Sequence, residues 1–210
     1  MKQLISILAI TTLLLSACTG NNNKQTNADA DYHHGIEQEM HQHDMEEGSG
    51  MNHQMDSSPM TVQESKTTSM VIDAYLKMKN ALVTDNDKEA AKAGNELINA
   101  FDTIDKNSVP EGKMSELEDI IKDAREHADH ISENQGNIEH QREHFEMLSS
   151  DIKDLIAVAG CDRTLYLIYC PMYNNNEGGS WLSASDEIKN PYYGSKMTNC
   201  GEVKSKISIK

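Results

Sequence analysis

The chain has 210 residues, with 34 acidic against 19 basic side chains and a net charge of −15 at pH 7. An unassisted nucleic-acid binder needs a basic footprint, so that class is excluded. A mean hydropathy of −0.64 excludes a polytopic membrane protein, and the length leaves room for one helix-rich core of about 90–100 residues. The unusual counts are 12 Met, 9 His and 4 Cys. All three are soft or borderline metal ligands, and their positions cluster.

Met1-Lys2 opens an apolar run from Leu4 to Leu15, followed by Ser16-Ala17-Cys18. A positive start, about a dozen apolar residues and small residues before a cut predict a secretory signal over 1–17, not a membrane span. Leu15-Ser16-Ala17-Cys18 resembles the bacterial lipobox. The resemblance implies cleavage before Cys18 and a diacylglycerol on its sulfur. Thr19-Gly20 brings no Asp next to that Cys, which implies a lipoprotein on the periplasmic face of the outer membrane. Several acyl chains on one residue anchor far more firmly than one chain. Anionic headgroups repel so acidic a chain, so the lipid itself has to hold it there.

Residues 18–66 read as a disordered tether. From 19 to 66 there is one Ile, one Val and no Leu or Phe, too little apolar surface to offset the entropy of ordering. Within it lie His33, His34, Met40, His41, His43, Met45, Met51, His53, Met55 and Met60, interspersed with carboxylates such as Glu37, Asp44 and Asp56. Thioethers favour Cu(I), imidazoles favour Cu(II) or Zn, and carboxylates attract any cation. With no rigid spacing, the tract predicts loose binding of several ions. The bland reading is a polar, His-rich spacer.

Residues 67–160 carry four helical stripes and predict an all-α, up-down four-helix bundle. Ser69 precedes Val71, Ile72, Tyr75, Leu76, Leu82 and Val83; Asp85-Asn86-Asp87 then offers a cap to Ala90, Gly94, Leu97, Ile98, Phe101 and Ile104. Val109-Pro110-Glu111-Gly112 is a turn signal, and Ser115 with Glu118 fits a capping box for a third helix. Gly136-Asn137 separates a fourth helix that Gly160 stops. The rival is one long helix running through Gly136, since a single Gly costs only about 1 kcal/mol.

His127 and His130 flank the third stripe, and His140, His144 and Met147 flank the fourth at i, i+4, i+7 spacing. A turn near Gln135-Gly136 would set His130 opposite His140 and His127 opposite His144. Four converging imidazoles suit Zn or Cu. The competing reading is four independent histidines beside Asp123, Glu126, Asp129, Glu139 and Glu143. The rotation of each helix about its axis decides between them.

Residues 161–210 predict a small irregular or β module. Arg163 to Cys170 alternates as a strand, and Cys170-Pro171-Met172 and Met197-Thr198-Asn199-Cys200 bracket an aromatic-rich loop. Cys170, Met172, Met197 and Cys200 suit a Cu(I) site that Trp181, Tyr192 or Tyr193 would shield. They equally suit a Cys170–Cys200 disulfide worth about 2–4 kcal/mol. Cys161 is then the odd thiol.

Three stretches carry a resemblance: Tyr75-Leu76-Lys77-Met78-Lys79-Asn80-Ala81-Leu82, Gln141-Arg142-Glu143-His144-Phe145, and the tail. The tail motif runs through Cys170-Pro171-Met172, Trp181-Leu182-Ser183, Ile188-Lys189-Asn190-Pro191-Tyr192-Tyr193-Gly194 and Cys200-Gly201. Over roughly 70–203 the chain resembles the bacterial family called domain of unknown function 3347. Relatives of that kind occur as free-standing lipoproteins and as extensions of periplasmic adaptors of heavy-metal efflux pumps. Cys170-Pro171-Met172 also resembles the Tyr-His-Cys-Pro-Met element of such adaptors, but Tyr169 directly precedes Cys170, so the His is missing. The resemblance therefore implies Cys170, Met172, Met197 and Cys200 as ligands, with an efflux adaptor as partner.

The expected function is a lipid-anchored, periplasmic copper-binding protein, with zinc as the other cargo, acting as chaperone or sequestrant. The alternative is an interaction lipoprotein that docks a partner through its helices and is stapled by Cys170–Cys200. No Ser/His/Asp or phosphate-loop signature is present, and His140-Gln141-Arg142-Glu143-His144 lacks the Glu directly after the first His that a zincin needs. Binding rather than catalysis is expected.

Overall fold

Four long helices lead into a small sheet in the structure, a computed structural model that describes residues 59–210. The helices are α1 (Ser69–Val83), α2 (Asp87–Phe101), α3 (Met114–Glu133) and α4 (Ile138–Ala159). The strands are β1 (Met60–Val62), β2 (Leu165–Cys170), β3 (Gly179–Ser183) and β4 (Glu202–Ile209), ordered β1-β4-β2-β3. Among the described residues no helix is long and apolar enough to cross a membrane.

Local chemistry sets several of the helix ends. Asn86 caps α2 by accepting from the Glu89 N–H at 3.1 Å, and Asn137 caps α4 through the His140 N–H. The third and fourth stripes form two helices rather than one. Gly136 takes φ 93° in the link between them, and its N–H donates to Asp87 Oδ2 at 2.7 Å. The capping box at Ser115 is not used. A 3-10 turn at Glu111–Lys113, closed by Lys113 N–H to Pro110 O, runs into α3 one residue earlier. Glu118 pairs with Lys106 at 2.8 Å instead.

The first strand is a departure from the composition. Met60–Val62 belongs to the stretch expected to be tether, yet it pairs in parallel with β4, Met60 opposite Ile207 and Val62 opposite Ile209. Val62 is buried there, and its carbonyl accepts from the Lys210 N–H. A three-residue strand needs no core of its own when a neighbouring edge satisfies its backbone. Beyond it, β2 pairs antiparallel with both β4 and β3.

The sheet packs against α4 and α1 through aromatic rings. Tyr75 stacks on Phe145 at 5.2 Å, Phe145 meets Tyr192 at 6.0 Å, and Trp181 meets Tyr192 edge-on at 5.7 Å. A hydrogen-bond chain crosses this core. Leu182 N–H donates to Tyr75 Oη, whose hydroxyl bonds Ser149 Oγ, which in turn donates to Phe145 O. Arg142 of α4 is 2% exposed and ties three elements together. It donates to Leu82 O, Pro191 O and Asp85 Oδ1 at 3.1, 2.8 and 2.5 Å.

Candidate metal centre

The turn at residues 134–137 fixes how α3 and α4 face each other. Ala124, Ala128 and Ile131 turn one face of α3 into the core, and Phe145 and Leu148 do the same for α4. The histidines beside these apolar rows are thereby set along the α3–α4 seam. His130 and His144 stack with ring centres 4.2 Å apart; His140 lies 4.6 Å from His144 and 6.1 Å from His130. One ligand nitrogen from each of His130, His140 and His144 lies within 4.8 Å of the others. Among the described residues, this is the one convergence of three or more His, Cys, Asp or Glu groups.

His127 joins from the side: its Nδ1 lies 3.2 Å from Nδ1 of His144. Its Nε2 stands 3.8 Å from Asp151 Oδ2. That carboxylate oxygen is buried and has no hydrogen-bond partner among the described residues. His140 uses Nδ1 toward Glu143 Oε2 at 3.1 Å. One nitrogen of His140 and one of His144 are thus engaged with neighbours, leaving the other nitrogen of each ring for an ion. Metal-bound imidazoles are commonly oriented in this way.

The electrostatics favour neutral rings. Burial, reinforced by His130, His140 and His127, pushes His144 down to about 4. Burial also lowers His127, against the pull of Glu126 and Asp123. A ligand imidazole has to be unprotonated, so His144 and His127 meet that condition at neutral pH. Burial and the carboxylates of Asp123, Asp154 and Glu146 raise Asp151 to about 7. Tetrahedral coordination at about 2.0 Å from each nitrogen brings the nitrogens to about 3.3 Å from one another.

Asp151 is the group that sequence reasoning missed. It follows His144 by seven positions and Met147 by four, so the same helical stripe reaches it. Met147 itself is exposed.

In the tail, Cys170 is fully buried at the end of β2, and the Cys200 thiol hydrogen-bonds to it. Burial, then the Cys170 thiol, pushes Cys200 up to about 11. Both are free thiols. Cys161 is held away from them by a 3.1 Å bond from its thiol to Arg163 O. Met172 and Met197 are exposed at 48% and 38%. Trp181 and Tyr192 are core residues, while Tyr193 lies near both thiols and donates to Met172 O at 2.7 Å. The expected ligands His33, His34, Met40, His41, His43, Met45, Met51, His53 and Met55, together with Cys18, lie outside the described residues.

Residues 71–164 match the family model described as Protein of unknown function (DUF3347). Over these residues, a little under half of the chain, the sequence is similar to that family. The match spans α1 to α4, and with them all four seam histidines, and it ends before β2. It is shorter than the 70–203 implied by the motifs, and the Cys-Pro-Met tail lies beyond it. No curated protein and no solved structure matches the chain.

Proposed function

We propose that the protein binds a late first-row transition-metal ion, copper foremost and zinc second, and holds it as a chaperone or sequestrant without catalysing a reaction. The observation that carries this reading is the meeting of His130, His140 and His144 within 4.8 Å. Imidazole nitrogen suits both ions, and copper binds such donors more tightly than zinc. In this reading the four helices act as an up-down bundle whose α3–α4 seam is the folded site. The tether from 18 to 66 collects ions, and Cys170, Met172, Met197 and Cys200 offer a softer site for Cu(I). A lipid on Cys18 would keep the protein at the periplasmic face of the outer membrane, where a metal-efflux adaptor is the natural recipient.

Equilibrium dialysis of the mature chain against cupric and zinc salts tests this. One ion per chain should be lost in the H130A/H140A/H144A variant, over and above what the tether retains. Equal loading of the variant and the wild type would refute the seam site.

A second reading has its own observation. The contact between the Cys170 and Cys200 thiols favours a stabilising disulfide and an interaction lipoprotein. Oxidised protein should then melt higher than reduced protein, with no metal in the folded part.

A further inference from the structure

A second polar site is a cleft of about 180 Å³ where α1 meets the loop after β3. Lys79, Asn80, Ser183, Ser185, Glu187 and Lys189 line it. Lys79, Asn80, Ser183 and Lys189 come from stretches far apart in sequence that carry the family resemblance, Tyr75 to Leu82, Trp181-Leu182-Ser183 and Ile188-Lys189-Asn190. Neither the helical core nor the metal reading gives them a role.

Lys79 is the anomaly. It sits four residues after Tyr75 and three before Leu82, both fully buried, so the helical period turns it inward. It is only 5% exposed, yet its ammonium makes no hydrogen bond or ion pair with any described residue. Burial, then the charge of Lys189, lowers it to about 8, and Glu187 only partly offsets this. The stem of this side chain is buried while its ammonium opens on the cleft, where partial desolvation without a partner carries a cost that an apolar side chain would not. Lys189 Nζ bonds Glu187 Oε2 at 3.0 Å, so the one carboxylate of the cleft is already engaged. A ligand bearing negative charge supplies what Lys79 lacks. The volume equals about six waters at roughly 30 Å³ each, which limits that ligand to a small one.

We propose that this cleft binds a small oxyanion, a carboxylate or a phosphate group, on the ammonium of Lys79, with Lys189 as second cation and Asn80 and Ser183 as neutral donors. The acidic chain repels anions at long range. That field is screened over about 8 Å at physiological ionic strength, so recognition rests on these local groups. The inference is independent of the metal reading.

The test is NMR titration of the mature chain with inorganic phosphate and, separately, with succinate, each against chloride at matched ionic strength. Saturable shifts confined to Lys79, Asn80, Ser183 and Lys189 are expected, and the anion that saturates first identifies the ligand source. K79M should weaken that binding by about tenfold or more, the scale of one lost charge-assisted bond. K79R, which keeps the charge, should retain most of it. K79M should also unfold no earlier than wild type, because it removes a partly desolvated charge while keeping the buried stem. Shifts no larger than those with chloride, or a K79M variant that saturates like wild type, would overturn the proposal.

Discussion

Nδ1 of His127 and Nδ1 of His144 face each other at 3.2 Å across the α3–α4 seam. One ring therefore carries the proton at that nitrogen and the other accepts it, so the two are locked in complementary tautomers. Protonating both rings would set two N–H groups against each other. The seam is thus built for neutral imidazoles, which is also the form that binds metal.

Acid should loosen the metal-free protein through His144. Its folded value of about 4 lies below the ordinary 6.5, so the folded state binds the proton less well than the unfolded state. The stability is fully present above pH 6.5 and is lost as pH falls toward 4. After discounting for partial exposure, the loss is about 1–2 kcal/mol. Urea unfolding at pH 7 and pH 4.5 measures it, and H144Q should flatten the difference. An unchanged difference in H144Q would assign the effect elsewhere.

Asp151 works in the opposite direction. Its carboxyl is raised from 3.8 to about 7, so the contribution it makes at low pH is lost as pH rises from about 4 through 7. D151N should therefore be more stable than wild type at pH 8 by about 1 kcal/mol, and no more stable at pH 4. Chemical denaturation at the two pH values checks the sign. A D151N variant less stable at pH 8 would show that the carboxylate has a partner there.

Arg142 should be among the costliest single residues to lose. R142M takes the guanidinium donor from Pro191 O, leaves Leu82 O with only the Asp85 N–H, and removes one partner of the Asp85 carboxylate. Breaking a buried charged network in this way costs about 3 kcal/mol or more. Urea unfolding should show a midpoint shift of that size, whereas a change within about 0.5 kcal/mol, typical of a surface substitution, would contradict the role.

Removing one oxygen from Tyr75 tests the chain that crosses the core. Y75F strands the Leu182 N–H and takes one partner from Ser149 Oγ, which keeps its bond to Phe145 O. The expected loss is about 1–3 kcal/mol, readable as a lower thermal midpoint. A Y75F variant as stable as wild type would mean that the Leu182 N–H finds another acceptor.

Much of this was legible in the sequence wherever a local signal carried it. Ser69 opens α1, Asn86 caps α2, and Gly160 ends α4 with φ 79°, where a Cβ would lie 2.3 Å from Gln63 O. The turn at Gly136 sets His127 against His144 as its spacing implies, whereas His130 stacks on His144 at 4.2 Å and stands 6.1 Å from His140, its expected partner. The rotation that makes the rings converge did not follow from the spacing, because side chains packed across the seam set it. β1 was hidden for a similar reason: three residues carry no periodicity, and their partners stand near the other end of the chain. Asp151 and Lys79 were passed over because a charged residue beside an apolar stripe looks like a solvated face until its neighbours are known.

The central claim is that His130, His140 and His144 hold a metal ion together. Long-range ¹H–¹⁵N spectra of the histidine rings, recorded as zinc is added to the mature chain, address it most directly. The account predicts that a ring nitrogen of each of these three histidines shifts together and saturates at one ion. If only the tether imidazoles respond while these three rings stay unchanged, the seam is not a metal centre.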